Sequence, residues 1–257
     1  MRLDVYLSKH GRAKSRSRAA ELIAGGHVTV GGKVITKPAY DVEEGDDVSV
    51  GGDTCAFVSR GGIKLDGALD RFGIDVKDMI CADIGASTGG FTDCLLQRGA
   101  RHVYAIDSGH DQLDVSLVND SRVTNIEGFN ARYLAEDTLP EKCDIAVSDL
   151  SFISQRLVIP AIRNIVRDGA LYVSLIKPQF ECGRAAIGKG GIVRDKKQHE
   201  LAVTEVLMCA RACGFSPKHV MKSPIQGGDG NTEFLFAAVL GGEDKITEKD
   251  ISEAVYG

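Results

Sequence analysis

Five apolar runs of this sequence each end in a residue that can hold a ligand or move a proton. In chain order, these ends carry an acid with a glycine loop, an acid, an amide, an acid and a lysine: Asp83 with residues 85–90, Asp107, Asn130, Asp149 and Lys177. If the runs are parallel strands, their carboxyl ends meet at one edge of a sheet, where open α/β proteins bind ligands. The pattern therefore predicts a ligand site at that edge.

The glycine loop restricts the cofactor that this edge can hold. The loop is Gly85-Ala86-Ser87-Thr88-Gly89-Gly90, and it lacks the middle glycine of the dinucleotide fingerprint that lets the backbone approach a pyrophosphate. A nucleoside ligand without phosphates fits better, and S-adenosylmethionine is the common one. Asp107, at the second strand end, is the residue type that holds a ribose hydroxyl pair. A purely structural strand-to-helix turn is the alternative interpretation.

The segments around these residues alternate between strand and helix patterns, which predicts an α/β fold with a parallel, doubly wound, Rossmann-like sheet. The predicted strands are 79–85, 102–107, 122–128, 143–149, 170–177, 216–225 and 232–240. The predicted helices are 64–73, 91–99, 111–120, 154–169 and 197–214.

The amino-terminal segment has a composition of its own. Residues 1–37 contain eight basic residues and two acids, although the whole chain has a formal net charge of −5. Two short helix patterns, a hairpin signal at Gly31-Gly32 and one more strand predict a small α+β module. We place the domains at 1–58, including a glycine-containing linker, and 59–257. Such local basic charge favours a nucleic-acid partner, and a solvated helix face is the alternative.

Composition excludes several other classes of protein. The seven cysteines are scattered without a Cys-x-x-Cys pair and the histidines lack ligand spacing, so we expect no metal site and reduced thiols. The apolar runs, such as residues 234–240, are of strand length and too short to span a bilayer. The first residues lack the apolar core of a secretion signal. We therefore expect a cytoplasmic protein with no membrane partner.

The stretch RLDVYLSKHGRAKSRSRAAELIAGGHVTVGGKVITKPAYDVEEGDDVSV resembles the RNA-binding domain named after small-subunit ribosomal protein S-four. The resemblance implies binding to structured RNA through shape and backbone charge. We expect additional RNA contacts from the glycine-rich segment 181–194, as a rim loop that closes on RNA, although a tolerated surface insertion is the alternative. The expected RNA-binding residues are Arg2, Lys9, Arg12, Lys14, Arg16, Arg18, Arg60, Arg184 and Lys189.

DIGASTGGFTDCLLQRGA, followed by VYAID, resembles motif I of S-adenosylmethionine-dependent methyltransferases, most closely the FtsJ-like RNA 2′-O-methyltransferases. The resemblance implies a catalytic tetrad, matched here by Lys64 in SRGGIKL, Asp149 in AVSDLSF, Lys177 in LIKPQFE and Glu233 in NTEFLF. We expect Lys177 to be the base or orienting group, Asp149 and Glu233 to position it, and Lys64 to orient the hydroxyl or hold a nearby phosphate. The expected cofactor-binding residues are Asp83, Gly85, Ala86, Ser87, Thr88, Gly89, Gly90, Phe91, Asp107, Asn130 and Asp149.

Over nearly its whole length the chain resembles the TlyA family of ribosomal RNA cytidine 2′-O-methyltransferases, many of which carry the label hemolysin. The resemblance implies S-adenosylmethionine as cofactor and ribosomal RNA or a ribosomal subunit as partner. The short amino-terminal start is similar to the subgroup that modifies large-subunit RNA, and small-subunit RNA stays open as a further substrate. The alternatives are a non-catalytic RNA-binding assembly factor and a membrane-active hemolysin.

Overall fold

The computed structural model of the chain divides into two compact units, Met1–Cys55 and Ala56–Gly257. It describes residues 1–13, 16–43, 45–51, 56–228 and 230–257, and for residues 17 and 21 it describes the backbone. Lys14, one of the expected RNA-binding residues, lies outside the described residues.

The described residues of the amino-terminal unit form two helices and three strands, as its sequence predicts. Its elements are α1 (Leu3–Lys9), α2 (Arg16–Ala24), β1 (Val28–Val30), β2 (Lys33–Val34) and β3 (Val48–Val50). The strands are antiparallel in the order β2-β1-β3. Gly31 and Gly32, at φ 56° and 76°, form the two-residue turn between β1 and β2, a turn that needs positive φ at both positions. Leu3, Leu7 and Ile23 from the helices are fully buried with Val28 from the sheet.

The second unit contains a seven-stranded sheet covered by helices on both faces, counted over the described residues. Its strands are β4 (Ile80–Ile84), β5 (His102–Ile106), β6 (Val123–Ile126), β7 (Cys143–Ser148), β8 (Val166–Ile176), β9 (Phe215–Lys222) and β10 (Phe234–Leu240). Its α-helices are α3 (Gly61–Phe72), α4 (Gly90–Gln97), α5 (Val115–Val118), α6 (Ile159–Ile162), α7 (Pro178–Glu181), α8 (Lys196–Ala212) and α9 (Glu248–Tyr256). Short 3-10 helices occupy 131–133, 155–157, 163–165, 184–186 and 189–191.

The strand order is β6-β5-β4-β7-β8-β10-β9, and the first five strands are parallel. β10 is antiparallel to both of its neighbours, β8 and β9, so the predicted doubly wound sheet is mostly parallel and becomes antiparallel at this end. The connection from β9 to β10 has no helix among its described residues. A parallel return needs a crossover, usually a helix, whereas a short connection reverses the chain beside the strand it has just left.

Two predicted helices are much shorter in the structure. Of 111–120, only Val115–Val118 is helical, because Asp114 caps the helix there by accepting a hydrogen bond from the Ser116 amide at 3.0 Å. The predicted helix 154–169 is broken into short helical pieces, and its last four residues belong to β8. Pro160, which lacks an amide donor, lies at the start of α6, where such a residue is tolerated. The carboxyl-terminal helix α9 has no counterpart among the predicted elements.

Helices cover both faces of the sheet, which leaves the carboxyl ends of the parallel strands open to a ligand. α6, α8 and α9 pack on one face of the sheet with Tyr172 and Phe236, and α3 and α4 pack on the other face with Val147 and Leu235. β4 is buried along its whole length, which explains why its sequence is apolar up to Asp83. Among the described residues, no helix combines the length and apolar character that crossing a bilayer would need.

Candidate active site

A cavity of about 540 Å³ opens at the carboxyl edge of the parallel strands. Five of the residues expected from the sequence line it: Gly85, Ser87, Asp107, Asn130 and Asp149. These residues follow four different strands, so the sheet brings together side chains that are as much as 64 positions apart in the chain.

The backbone at Gly85 fits tightly against a neighbouring strand end. Gly85 has φ 83°, and its amide donates a hydrogen bond to the Ile106 carbonyl at 2.8 Å. A Cβ at this position would lie 2.8 Å from the carbonyl oxygen of Asp149 and 3.0 Å from the Leu150 side chain. Both the backbone conformation and the available space therefore require glycine here.

The rest of the glycine loop mainly packs against protein. A Cβ on Gly89 would lie 2.2 Å from Leu117, and one on Gly90 would lie 2.2 Å from the Ser59 hydroxyl. Phe91 and Ala86 are buried in the core on the α3/α4 side of the sheet, and the Thr88 carbonyl accepts a hydrogen bond from the Asp114 amide at 3.1 Å. Within this loop, Gly85 and Ser87 are the residues that line the cavity.

Asp107 fixes the shape of the cavity wall through backbone hydrogen bonds. Its two carboxylate oxygens accept from the Ser87 amide at 2.8 Å and from the Gly109 amide at 2.7 Å. Ser87 is held at φ 48°, a conformation that is uncommon outside glycine. On the next strand end, Asn130 accepts a hydrogen bond from the Arg132 amide at 3.1 Å through its side-chain oxygen. The carboxylate and the amide thus face the cavity from pre-organised loops.

Asp83 lies beneath the loop and is completely buried. One carboxylate oxygen accepts a hydrogen bond from the Thr92 hydroxyl at 2.7 Å, and the other has no hydrogen-bond partner among the described residues. Burial raises the pKa of Asp83 to about 7, although the hydrogen bond from Thr92 favours the charged form. This carboxyl group is therefore poised to change its charge near neutral pH.

The four expected catalytic residues form two separate ion pairs. Lys177 Nζ lies 2.6 Å from Asp149 Oδ1, and it also donates to the Ser151 hydroxyl at 2.9 Å. Lys64 Nζ donates to Glu233 Oε2 at 2.6 Å, and this pair is almost fully buried, with side chains 9% and 2% exposed. The expectation that Glu233 would position Lys177 does not match this arrangement, because Glu233 pairs with Lys64.

Two aromatic residues near the carboxyl ends of β7 and β8 were missed in the sequence. Phe152 lines the cavity, is 92% exposed and has φ 64°, which is unusual for a bulky residue. Its ring lies 5.4 Å from that of Phe180, and Lys177 Nζ lies 6.0 Å from the Phe180 ring centroid. The signal available in the sequence was the position of Phe152, three residues after the strand-end Asp149.

The expected RNA-binding residues of the amino-terminal unit differ widely in exposure. Lys9 is exposed, whereas Arg18 is 9% exposed and has little side chain available for a phosphate. Arg2 and Arg16 both pair with the buried Asp4, at 3.0 and 2.8 Å. The hydrogen bond from Arg2, with help from Arg16, lowers the pKa of Asp4 to about 2.

The remaining expected RNA-binding residues are on or near loops. Arg12 donates to the Val48 carbonyl, and Arg60 donates to the Gln226 carbonyl at 3.0 Å. Arg184 and Lys189 are exposed in the short helical turns between α7 and α8.

Comparison with known proteins finds one family match in each of the two units of the chain. The FtsJ-like methyltransferase family matches residues 57–240, and the S4 domain matches residues 1–48. Hemolysin A of Brachyspira hyodysenteriae is 43% identical over 91% of this chain and 98% of its own length. The 16S/23S rRNA (cytidine-2′-O)-methyltransferase TlyA of Mycobacterium tuberculosis is 41% identical over 99% of this chain and 96% of its own. A solved structure from Streptococcus thermophilus that carries the hemolysin name has a TM-score of 0.81 and 42% identity, covering 100% of this chain and 94% of that one.

The raised pKa of Asp83 makes the stability of the fold depend on pH. The neutral form is favoured in the folded chain, so the stabilisation is complete below the ordinary pKa of 3.8 and is lost as the pH rises to about 7. We expect Asp83→Asn, which keeps an acceptor for Thr92, to raise the unfolding temperature by an amount that grows from pH 4 to pH 7 and then levels off. Each kcal/mol gained in the free energy of unfolding should raise the unfolding temperature by about 2–4 °C in a domain of this size.

Thermal unfolding followed by circular dichroism at several pH values measures this effect. Asp137→Asn, at an exposed site, is the control and should show no such rise with pH. A gain from Asp83→Asn that is the same at pH 4 and pH 8 would contradict the assignment.

Proposed function

The chain belongs to the FtsJ-like methyltransferase family, and on this basis we propose that it transfers a methyl group to the 2′-hydroxyl of a cytidine in ribosomal RNA. S-adenosylmethionine is the methyl donor of this enzyme. The observation that carries the proposal is the position of Lys177, which is paired with Asp149 of the cavity wall and lies 6.0 Å from the Phe180 ring, the ring that contacts Phe152. We propose large-subunit RNA as the first substrate to test, with small-subunit RNA alongside it.

The cavity fits the cofactor in size and in the chemistry of its walls. It has the volume of a small-molecule site, with apolar side chains such as Ile106 and Val158 on one part of the wall. Asp107 would accept hydrogen bonds from the ribose hydroxyls, and Asn130 would contact the base or ribose from the next strand end. Gly85 would let the backbone approach the ligand. When bound, S-adenosylmethionine supplies an electrophilic methyl group on a sulfonium centre.

Lys177 is the residue that we propose acts on the ribose hydroxyl. The Lys177 nitrogen has three positions for hydrogen-bond partners; it donates to the Ser151 hydroxyl at 2.9 Å and lies 2.6 Å from Asp149 Oδ1, so one position remains for an incoming oxygen. A hydroxyl is a poor nucleophile, so it must lose its proton as it attacks the methyl group. In its neutral form Lys177 would take that proton, and Asp149 would stabilise the ammonium that results. Fixing the hydroxyl in line with the methyl group supplies a large part of the rate.

The Lys64–Glu233 pair has a different role in this proposal. Both groups are buried, and removing one of them would leave an uncompensated charge that costs about 3–5 kcal/mol. We propose that this pair holds α3 against the end of β10, close to the site. A loss of activity on mutating either residue would therefore reflect the fold as well as the chemistry.

Phe152 would hold the target base while the ribose reacts. An aromatic ring that is 92% exposed at the wall of a cavity loses apolar contact with water when a nucleobase stacks on it. Stacking of this kind contributes about 1–3 kcal/mol per base and is the usual way in which proteins bind unpaired RNA bases. The amino-terminal unit, with its basic surface, would hold the surrounding structured RNA through phosphates. A protein with this substrate acts in the cytoplasm, which we propose as its location.

The tight fit at Gly85 yields a prediction for cofactor binding. We expect Gly85→Ala to weaken S-adenosylmethionine binding at least about tenfold, equivalent to about 1.4 kcal/mol, because the added Cβ displaces the Asp149 backbone from the cavity wall. Titration calorimetry measures the affinity. Gly99→Ala is the matched control: Gly99 has a similar φ of 87°, but its nearest neighbour for a Cβ is at 3.5 Å. Equal affinities for the two variants would remove Gly85 from the site.

The role of Lys177 is tested by single-turnover methyl transfer at saturating cofactor and RNA. We expect Lys177→Ala to reduce the rate by about 10²–10⁴-fold, the usual contribution of a general base, while both ligands still bind. Lys177→Arg should be as slow, because a guanidinium stays protonated. A rate close to that of the wild type in Lys177→Ala would exclude the residue from the reaction. Substantial activity in Lys177→Arg would show that it orients the hydroxyl without taking the proton.

The amino-terminal unit is tested through the salt dependence of RNA binding. Lys9 and Arg16 are exposed, so we expect Lys9→Gln and Arg16→Gln to weaken binding and to reduce the slope of log K against log salt, Lys9→Gln by about one and Arg16→Gln by less because Arg16 is paired with Asp4. Lys249→Gln, on the exposed side of α9, is the control and should leave the slope unchanged. Unchanged slopes for Lys9 and Arg16 would assign the phosphate contacts to another surface, such as the turns that carry Arg184 and Lys189.

A further inference from the structure

We propose that Glu181 is a positioning residue for methyl transfer, which ties together the two loops that carry Lys177 and Phe152. The inference rests on the proposed function and adds a residue to it. Glu181 is the last residue of α7, four positions after Lys177, and it is 5% exposed. Its side-chain contacts run to the segment that follows β7, on the neighbouring strand end.

Three consecutive residues of that segment converge on the Glu181 carboxylate. Oε2 accepts a hydrogen bond from the Ser154 hydroxyl at 2.5 Å, and Oε1 accepts one from the Gln155 amide at 2.7 Å. Arg156 Nε lies 3.3 Å from Oε2, and Nη2 of the same arginine donates to the Glu181 carbonyl at 3.1 Å. Hydrogen bonds to a buried carboxylate are stronger than neutral ones, so this group is a firm anchor.

The anchored segment, residues 154–156, directly follows the residues that shape the site. Ser151 and Phe152, just before it in the chain, respectively accept a hydrogen bond from Lys177 and contact the Phe180 ring. On the other side, α7 carries Phe180 and follows Lys177 directly. Glu181 therefore connects the loop that carries Ser151 and Phe152 to the loop that carries Lys177 and Phe180.

The anchor is connected to the core. The Gln155 side chain donates to the Leu175 carbonyl at 3.0 Å, and its oxygen accepts from the hydroxyls of Ser148 and Tyr172, each at 3.2 Å. These partners lie on β7 and β8, so the loop is held by the same strands that deliver Asp149 and Lys177. All the contacts of Glu181 described above are to protein groups, which makes it a positioning residue and not a catalytic one.

A buried carboxylate at this position costs desolvation free energy, and packing alone does not require a charged residue here. Burial raises the pKa of Glu181, while Ser154, Gln155 and Arg156 favour its charged form. An apolar residue of similar size would avoid that cost but could neither accept the hydrogen bonds from Ser154 and Gln155 nor pair with Arg156. The charge is explained if the geometry of the two loops matters for the reaction.

The chain offers a matched control, because Arg156 also pairs with a second glutamate. Arg156 Nη1 lies 2.6 Å from Glu205 Oε2 on α8, and the Glu205 side chain is 49% exposed. Glu205→Gln removes one ion pair of Arg156 and leaves the buried anchor intact. Glu181→Gln removes the buried charge and keeps the size of the side chain, and Glu181→Ala removes the anchor completely.

Two measurements test the proposal. The first is the single-turnover rate of methyl transfer to ribosomal RNA, taken at a temperature at which circular dichroism shows each variant folded. The second uses the absence of tryptophan from the sequence: Phe152→Trp introduces a single tryptophan, and its fluorescence anisotropy, excited at wavelengths that tyrosine does not absorb, reports the mobility of the loop. Each Glu variant is also made in the Phe152→Trp background for this measurement.

We expect Glu181→Gln to lower the rate between about tenfold and a hundredfold, the range that a small misplacement of reacting groups produces, and to lower the anisotropy. Glu181→Ala should show larger changes in both, and Glu205→Gln should change the rate by about twofold or less, as for an exposed ion pair. If folded Glu181→Gln retains the wild-type rate, or if in the Phe152→Trp background it retains the anisotropy of Phe152→Trp alone, the proposal is overturned. If the wild type itself transfers no methyl group to RNA, the proposed function fails, and the anisotropy still decides whether Glu181 holds the loop.

Discussion

The close approach of two strand ends, Gly85 at the end of β4 and Asp149 at the end of β7, is the constraint on which the site depends. The Asp149 amide donates to the Ile84 carbonyl at 3.2 Å, and the absence of a side chain on Gly85 lets the two backbones meet. This contact fixes Asp149 in the cavity wall, where it pairs with Lys177 from the next strand. The cavity proposed for the cofactor and the lysine proposed as the base are therefore positioned by one piece of backbone geometry.

Much of this edge could be predicted from the sequence because the sheet is covered on both faces. Strands buried in this way are nearly continuous apolar runs, so a polar residue such as Asp107 or Lys177 stands out where the run ends. The pairing of the lysines could not be predicted in the same way. Lys64 and Glu233 are 169 residues apart, and their contact depends on β10 running antiparallel to β8, which the alternating pattern did not reveal. Phe152 was missed because the apolar pattern alone does not distinguish an exposed aromatic ring from a core residue.

The exposed charge of the amino-terminal unit could also be predicted only in part. Local charge predicts a basic surface, but the sequence does not show how much of that charge each side chain presents to a partner. Arg18 is turned largely into the fold, and Asp4 partly neutralises Arg2 and Arg16 from a buried position. Burial and neutralisation of this kind come from the packing of α1 against α2, which composition does not record. The exposed positive charge of the unit is thus smaller than its residue count suggests.

Because β10 comes late in the chain, its position affects the order in which the protein can fold during synthesis. The strand lies in the sheet between β8 and β9, yet residues 234–240 are synthesised after both of them. Until they emerge from the ribosome, β8 keeps an unpaired edge and Lys64 lacks the carboxylate that neutralises it. Amino-terminal domains generally fold first during synthesis, so the RNA-binding unit can be complete while the catalytic unit is still open. A chain terminated before residue 233 would therefore contain the whole S4 domain but neither Glu233 nor β10, so the two units differ in how much of the chain each needs before it is complete.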